Sequence, residues 1–294
     1  MQLSMIKIWV LAVRPKTLTA AISPVLIATA MAFGDGVYHL PTAILCLLAA
    51  LTIQIGTNLA NDYFDYKKGA DTDDRIGPTR VTQAGLINPG QFKWGFIIIF
   101  TISALICISL INRGGWSIIV LAIVSILSGI LYTAGPRPLG YIGLGDIFVL
   151  IFFGPIAVSF TYYLQSFEMN LAVLLAGFAP GFLSVAILTV NNLRDQLTDK
   201  KSGKKTLVVR FGACFGYIEF LSSIILASFI PIVIYLFIED HKFILLSSFV
   251  SIFAIPLFIK VLRCEDLKAL NPLLAETGRL LLIYSVIFST GWIL

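Results

Sequence analysis

Histidine, cysteine and charge are all scarce in this sequence. Only two histidines occur in 294 residues, His39 and His241, and on the topology derived below both fall at the outer face. The acidic residues therefore have no imidazole neighbour, which excludes a histidine-ligated zinc centre and a Ser-His-Asp triad. The four cysteines, Cys46, Cys107, Cys214 and Cys264, show no Cys-x-x-Cys spacing. They read as small packing residues, with neither a disulfide framework nor a thiolate metal site expected. Charged residues make up 13% of the chain against 58% hydrophobic, and mean hydropathy is +0.93. Such a composition excludes a soluble globular protein. Residues 1–13 also lack a small-residue cleavage site, and Arg14-Pro15-Lys16 stands where a secretory apolar core would continue, so no cleaved signal is expected.

What is present in quantity is apolar sequence in lengths that cross a bilayer as helix. Nine such spans fall near 18–34, 40–59, 95–112, 116–133, 146–164, 171–190, 214–238, 243–262 and 278–294. The expected fold is therefore an all-α integral membrane protein, one bundle of about nine transmembrane helices in a single domain over 1–294. With the N-terminus inside, 19 of the 21 Lys and Arg fall on the inner face, leaving Arg113 and Lys242 outside. That asymmetry sets the orientation under the positive-inside rule. The net charge of +5 thus belongs to a membrane face rather than to a nucleic-acid binder, and the lipid bilayer is the first partner. Leu3, Ile6, Trp9, Val10 and Val13 fall at helical spacing, so the N-terminal stretch either lies in the interface or lengthens the first helix.

Against this background two acidic clusters stand out, at the inner ends of the second and sixth spans. Asn58, Asn61, Asp62 and Asp65 are spaced i, i+3, i+4 and i+7; Asn191, Asp195 and Asp199 are spaced i, i+4 and i+8, with Asn192 alongside. Each set lines one face of a helix. Carboxylates so placed repel one another unless a cation lies between them. Hard oxygen donors suit Mg²⁺, which is often held by a few carboxylates together with substrate phosphate oxygens. Lys67, Lys68, Arg75 and Arg80 follow the first cluster, and Lys200, Lys201, Lys204, Lys205 and Arg210 the second. Carboxylate, Mg²⁺ and Lys/Arg together form the arrangement that holds a pyrophosphate. The positive-inside rule accounts for most of these cations, and Lys204 or Lys205, with Lys68 and with Arg137 in the Gly135-Pro136-Arg137-Pro138 turn, are the ones expected at the site.

The motifs also carry a likeness. Asn61-Asp62-x-x-Asp65 with a further acid at Asp71, followed by Asp195-x-x-x-Asp199 and Gly203-Lys204-Lys205-Thr206, resembles the paired aspartate-rich motifs of the UbiA superfamily of intramembrane prenyltransferases. The resemblance implies a nine-helix bundle with cytoplasmic loop caps, and Mg²⁺ bound with the diphosphate of a polyprenyl donor by Asp62, Asp65, Asp71, Asp195 and Asp199. Arg14-Pro15-Lys16-Thr17-Leu18, the run from Asn61 to Asp71, Gly135-Pro136-Arg137-Pro138-Leu139, Phe153-Gly154-Pro155 and Asn191-Asn192-Leu193-Arg194-Asp195 are similar to the branch of that superfamily that prenylates 1,4-dihydroxy-2-naphthoate in menaquinone synthesis. This likeness spans residues 14 to 212 and thins over the last three spans. It implies prenyl transfer with loss of CO₂ at a bacterial cytoplasmic membrane. The usual last acid of the first motif is replaced by Gly69, so Asp71, Asp73 and Asp74 all stay open as ligands.

An allylic cation has to be kept from water and is suited to aromatic faces. Tyr63, Phe64, Tyr66, Tyr132, Tyr141, Phe148 and Phe152 lie on the inner half by this topology, and Tyr141 is taken as substrate-binding with Asn58, Asn61, Asn191 and Asn192. Asp146 and the intramembrane Glu219 are further acids of interest. Two rival readings stay open: the same fold with 4-hydroxybenzoate or homogentisate as acceptor, and a cation-coupled transporter, which needs its polar groups near the bilayer midplane. Neither prenyl chain length nor oligomeric state is set by these patterns.

Overall fold

A computed structural model describes residues 4–69, 76–77, 80–264 and 266–294. Among these, eight helical stretches are long and apolar enough to cross a bilayer, and Trp116–Leu131 adds a shorter apolar helix. In chain order the helices are α1 (Met5–Val13), α2 (Leu18–Gly34), α3 (Leu40–Lys67), α4 (Pro89–Ser109), α5 (Ile111–Gly114), α6 (Trp116–Leu131), α7 (Gly145–Ile151), α8 (Ala157–Ser166), α9 (Leu171–Lys201), α10 (Leu207–Phe211), α11 (Ala213–Ile238), α12 (Val250–Leu262) and α13 (Leu270–Ile293). The all-helical bundle expected from the sequence is what folds, and α6, at 16 residues or about 24 Å, is shorter than the eight spanning stretches.

Two boundaries depart from expectation in a way that matters for the site. α3 runs to Lys67 and α9 to Lys201, about two and three turns past the apolar runs at 40–59 and 171–190. Both acidic clusters therefore sit within helix, as their one-face spacing implies, and it is the helix ends that lie further on than the apolar runs. The carboxylates there are paired with cations, Asp65 and Asp199 with Arg80 and Lys204 from other segments and Asp195 with Arg194 of its own helix, which offsets the repulsion that would fray the helix.

At the N-terminus, α1 is a separate amphipathic helix. It buries Ile8 and Ala12, exposes Met5, Ile6, Val10 and Leu11, and stacks Trp9 on Phe92 of α4 at 5.6 Å. Arg14 then turns the chain with φ 56°, and Pro15, at the start of a 3₁₀ turn over Pro15–Thr17, cannot donate a helical hydrogen bond.

α7 and α8 are one span broken at Phe152–Ile156, where Gly154 leaves helical geometry ahead of Pro155. α9 packs into that break with glycines of its own. An added Cβ on Gly177 would stand 2.6 Å from Pro155 Cα, and one on Gly181 would stand 2.6 Å from the Leu150 carbonyl oxygen. Backbones approach this closely in membrane bundles only through small residues. α9 is consequently the central helix, with Ala176, Ala179 and Ala186 fully buried.

The end of the bundle away from the acids is tied by side chains. Asp35, capping α2, accepts from the Tyr162 hydroxyl (2.6 Å) and from Trp292 Nε1 (2.9 Å). Arg113 donates to the Leu164 and Gln165 carbonyls at 2.6 and 3.0 Å, closing the end of α8. His39 caps α3 at the end opposite Asp65, and His241 stacks on Trp292, whose indole Nε1 donates to Asp35.

Candidate active site

α3 and α9 bring their acidic ends together at the head of a cavity of about 380 Å³. On α3 the cavity is lined by one stripe from Cys46 through Ala50, Gln54, Asn58 and Asn61 to Asp65, 19 residues apart or about 28 Å of helix. On α9 it is lined by Ser184, Leu188, Asn191, Asn192, Asp195 and Asp199. The wall is thus charged at one end, uncharged polar in the middle and apolar beyond.

Asp65 is the hub of the charged end. Tyr141 donates its hydroxyl to Asp65 Oδ1 at 2.9 Å, while Arg80 Nη2 and Lys204 Nζ reach Oδ2 at 3.2 and 3.1 Å. Lys204 also lies 3.9 Å from Asp199 Oδ1, so one ammonium joins the α3 and α9 clusters. The backbone directs it there. Gly203 adopts φ 78°, a conformation natural to glycine, and the Lys204 amide donates back to the Asp199 carbonyl at 2.9 Å. The Lys204 and Lys68 ammonium groups lie 4.9 and 4.8 Å from the centre of the Tyr141 ring. Burial lowers the Lys68 ammonium from its ordinary range; Asp65 opposes that shift and Lys204 adds to it.

The second cluster is organised by its own arginine. Arg194, almost fully buried, grips Asp195 through Nε to Oδ1 (2.8 Å) and Nη2 to Oδ2 (2.6 Å), a two-pronged charge-assisted pair. It also donates to Asn191 Oδ1 at 2.7 Å and Asn271 Oδ1 at 3.2 Å, locking α9 to α13. Asn61 in turn accepts from Thr133 at 2.9 Å.

Other expected residues fall elsewhere. Asp62 is buried but is not among the cavity-lining residues: the Val81 amide donates to its Oδ2 at 3.3 Å, and its buried Oδ1 has no hydrogen-bond partner among the described residues. At about 100° per residue it sits some 60° round the helix from Asp65, on the flank of the stripe. Arg137 is exposed and outside the cavity lining, because the flanking prolines hold the turn with Pro138 inward and the arginine outward. Lys205 is exposed too, and only its backbone is used, donating to the Tyr141 carbonyl at 2.8 Å. Lys68 spends its ammonium on the Gly135 carbonyl at 3.0 Å. Asp71, Asp73 and Asp74 lie outside the described residues. Of the seven aromatics, Tyr132, Tyr141, Phe148 and Phe152 line the cavity; Tyr63 and Phe64 pack on Phe96, and Tyr66 is exposed. Glu219 accepts from Thr189 at 2.9 Å, and neither it nor the buried Asp146 lines the cavity.

Arg14 and Thr17, from the Arg14–Leu18 motif, also line the cavity without having been assigned a site role, and Gln54 and Arg80 line it without having been expected at the site. Gln54 carried a usable signal, since it extends the Asn58–Asp65 stripe by one turn; Arg80 did not, being one cation among many on a basic face.

Among the described residues no three Asp, Glu, His or Cys side chains converge as a ready-made metal cage. The donor set fits a different arrangement, in which each Mg²⁺ takes one or two carboxylates and completes its shell with phosphate oxygens and water. Asp65, Asp195 and Asp199 open on the cavity, with Asp62 Oδ1 buried and unpartnered just behind.

The chain is also similar to known proteins. The model of the UbiA prenyltransferase family matches residues 21–285. The chain is 36% identical over 302 residues to a 1,4-dihydroxy-2-naphthoate octaprenyltransferase of Escherichia coli (strain K12), covering 99% of this chain and 96% of that one. It is 28% identical to human UbiA prenyltransferase domain-containing protein 1, covering 97% and 83%. A solved UbiA homologue from Archaeoglobus fulgidus, bound to DMAPP and Mg²⁺, shares the fold at TM-score 0.65 and 18% identity over 97% of this chain and 98% of that one. The chain therefore belongs to the UbiA prenyltransferase family.

Proposed function

We propose that this protein transfers a polyprenyl group from an allylic polyprenyl diphosphate to 1,4-dihydroxy-2-naphthoate, with loss of CO₂, in menaquinone synthesis. The observation that carries the reading is Lys204 joining Asp65 to Asp199 at the head of a cavity that turns apolar. A diphosphate needs cations and acid-held metal; a polyprenyl tail needs the opposite; this cavity offers both in sequence. The identity to named naphthoate octaprenyltransferases over nearly the whole chain supports the choice of acceptor.

Asp65, Asp195 and Asp199, with Asp62 and with Asp71 as a further candidate, are assigned to Mg²⁺. The ion supplies countercharge to the departing diphosphate when bound. Lys204 and Arg80 hold the same oxygens from the protein side. Asn61, Asn191 and Asn192 donate to the donor headgroup. Phe148 and Phe152, stacked at 5.8 Å, line the stretch where the allylic carbon emerges and exclude water there. As the allylic C–O bond breaks, the ring carbon bearing the carboxylate forms the new C–C bond, and the C–CO₂⁻ bonding pair returns to the ring as CO₂ leaves. Arg14, on the cavity wall, is assigned to the acceptor carboxylate. The acidic end faces the cytoplasm of a bacterial inner membrane on this reading.

The test is to incubate membranes carrying the protein with Mg²⁺, an allylic polyprenyl diphosphate and a panel of aromatic acceptors. Demethylmenaquinol formed from dihydroxynaphthoate is the expected product. Product from 4-hydroxybenzoate or homogentisate alone overturns the acceptor, and cation flux in liposomes without any transfer overturns the reaction.

A further inference from the structure

Between the charged head and the apolar end of the cavity lies a small hydrogen-bond network whose polarity is forced by two backbone carbonyls. Thr17 donates its hydroxyl to the Arg14 carbonyl at 3.0 Å. Its single proton is then spent, and Oγ1 can only accept. It accepts twice, from Asn58 Nδ2 at 3.0 Å and from Gln54 Nε2 at 3.3 Å. Asn58 Nδ2 also donates to the Val13 carbonyl at 2.9 Å, which again only accepts. Both amides are therefore fixed with nitrogen toward the α1–α2 junction. Turning either one would set oxygen against oxygen.

The consequence lies on the other side of each amide. Asn58 Oδ1 and Gln54 Oε1 accept no hydrogen bond among the described residues, and both residues line the cavity. They are i and i+4 on α3, one above the other. Asn61 and Asp65 lie beyond them toward the charged head, and Ala50 and Cys46 toward the apolar end. The nearest amide donor on the same face is Asn61, toward the charged head, so between it and Ala50 the wall presents the two acceptors Asn58 Oδ1 and Gln54 Oε1. A carboxylate or phosphate oxygen is repelled there, an apolar tail leaves both carbonyls unsatisfied, and a hydroxyl is held.

Resting on the functional reading above, we infer that Gln54 and Asn58, set by Thr17, form the subsite that binds a phenolic hydroxyl of the aromatic acceptor. In 1,4-dihydroxy-2-naphthoate the hydroxyl next to the carboxylate is tied to it internally. The hydroxyl at position 4 is the free donor, and it is the group this pair recognises. The subsite makes the protein selective for a hydroquinone-type ring over an otherwise similar ring that lacks the second O–H.

The experiment measures equilibrium binding of 1,4-dihydroxy-2-naphthoate and of 1-hydroxy-2-naphthoate to the purified full chain, beside KM for the allylic diphosphate. The unsubstituted protein is expected to prefer the dihydroxy compound by roughly tenfold or more, the order expected for a hydrogen bond whose loss strands an acceptor. Gln54→Met and Asn58→Leu should each shrink that preference toward unity with the diphosphate KM unchanged. Thr17→Val, which frees the Gln54 amide to turn while Asn58 keeps its hydrogen bond to the Val13 carbonyl, should shrink it in part. A preference that persists through all three substitutions overturns the inference while leaving the reaction intact. An unsubstituted protein that transfers prenyl to other rings but not to dihydroxynaphthoate overturns the functional reading instead.

Discussion

Lys204 and Lys205 are adjacent in sequence and identical in chemistry, yet the structure gives them opposite weights. The Lys204 ammonium is 3.1 Å from Asp65 and 3.9 Å from Asp199, with its side chain 14% exposed. At an effective dielectric of about 20 those separations correspond to gross attractions of about 5 and 4 kcal/mol, largely offset by desolvation of the ions. What survives for catalysis is the loss of one pre-placed cation facing a departing diphosphate. Removal of one such preorganised group costs on the order of 10²- to 10³-fold in kcat, or about 3–4 kcal/mol. Lys204→Met is therefore expected to lower turnover by that amount and to raise KM for the diphosphate, with KM for the acceptor little changed. Lys205→Met, at an exposed side chain, is expected to stay within about twofold, as surface substitutions do. The assay is steady-state prenyl transfer with each substrate varied in turn. Equal losses in the two variants, or the larger loss in Lys205→Met, would refute the reasoning.

Three further outcomes follow from the same geometry. Arg194→Met leaves Asp195 buried without its counter-charge and is expected to cost about 3–5 kcal/mol, read as a fall in unfolding temperature in detergent; an unchanged midpoint would show that the Arg194 pair contributes nothing net. Gly177→Ala forces a methyl against Pro155 backbone at 2.6 Å and should destabilise by about 1–3 kcal/mol, whereas the exposed Gly36→Ala strains only its own turn and should leave α9 packing, followed by amide exchange, unchanged. Chelation of divalent ions should abolish transfer and Mg²⁺ should restore it, while calcium, which prefers more ligands at longer distance, restores less; activity surviving exhaustive chelation would remove the metal from the scheme.

Helical phase and apolar length were readable from residue order, so the bundle and the stripe Asn58–Asn61–Asp65 could be anticipated. The same arithmetic, carried one step further, would have set Asp62 on the flank and added Gln54. What could not be read was which of many cations would fold back onto an acid. Arg80 and Lys204 owe their partners to the return of the segment at 80–82 and to Gly203's turn, which are tertiary facts, whereas Arg194 pairs with Asp195 and Asn191 on its own helix and reaches another helix only at Asn271. Arg137 shows the converse, a residue made prominent by two prolines and then turned outward by them. The extension of α3 and α9 past their apolar runs is supported by the same pairs, which offset the repulsion within an acid-rich turn.

The gradation of the cavity wall from ions to amides to hydrocarbon also bears on how the cycle ends. Each substrate enters with a charged anchor, diphosphate on one and carboxylate on the other, and on the proposed chemistry the reaction removes both. The quinol that remains keeps nothing for Lys204, Arg80 or Arg14 to hold, while its longest dimension matches the apolar end and the lipid beside it. Retention and release are then written into the ligand's changing polarity: bond formation erases the address that kept the reactants in place.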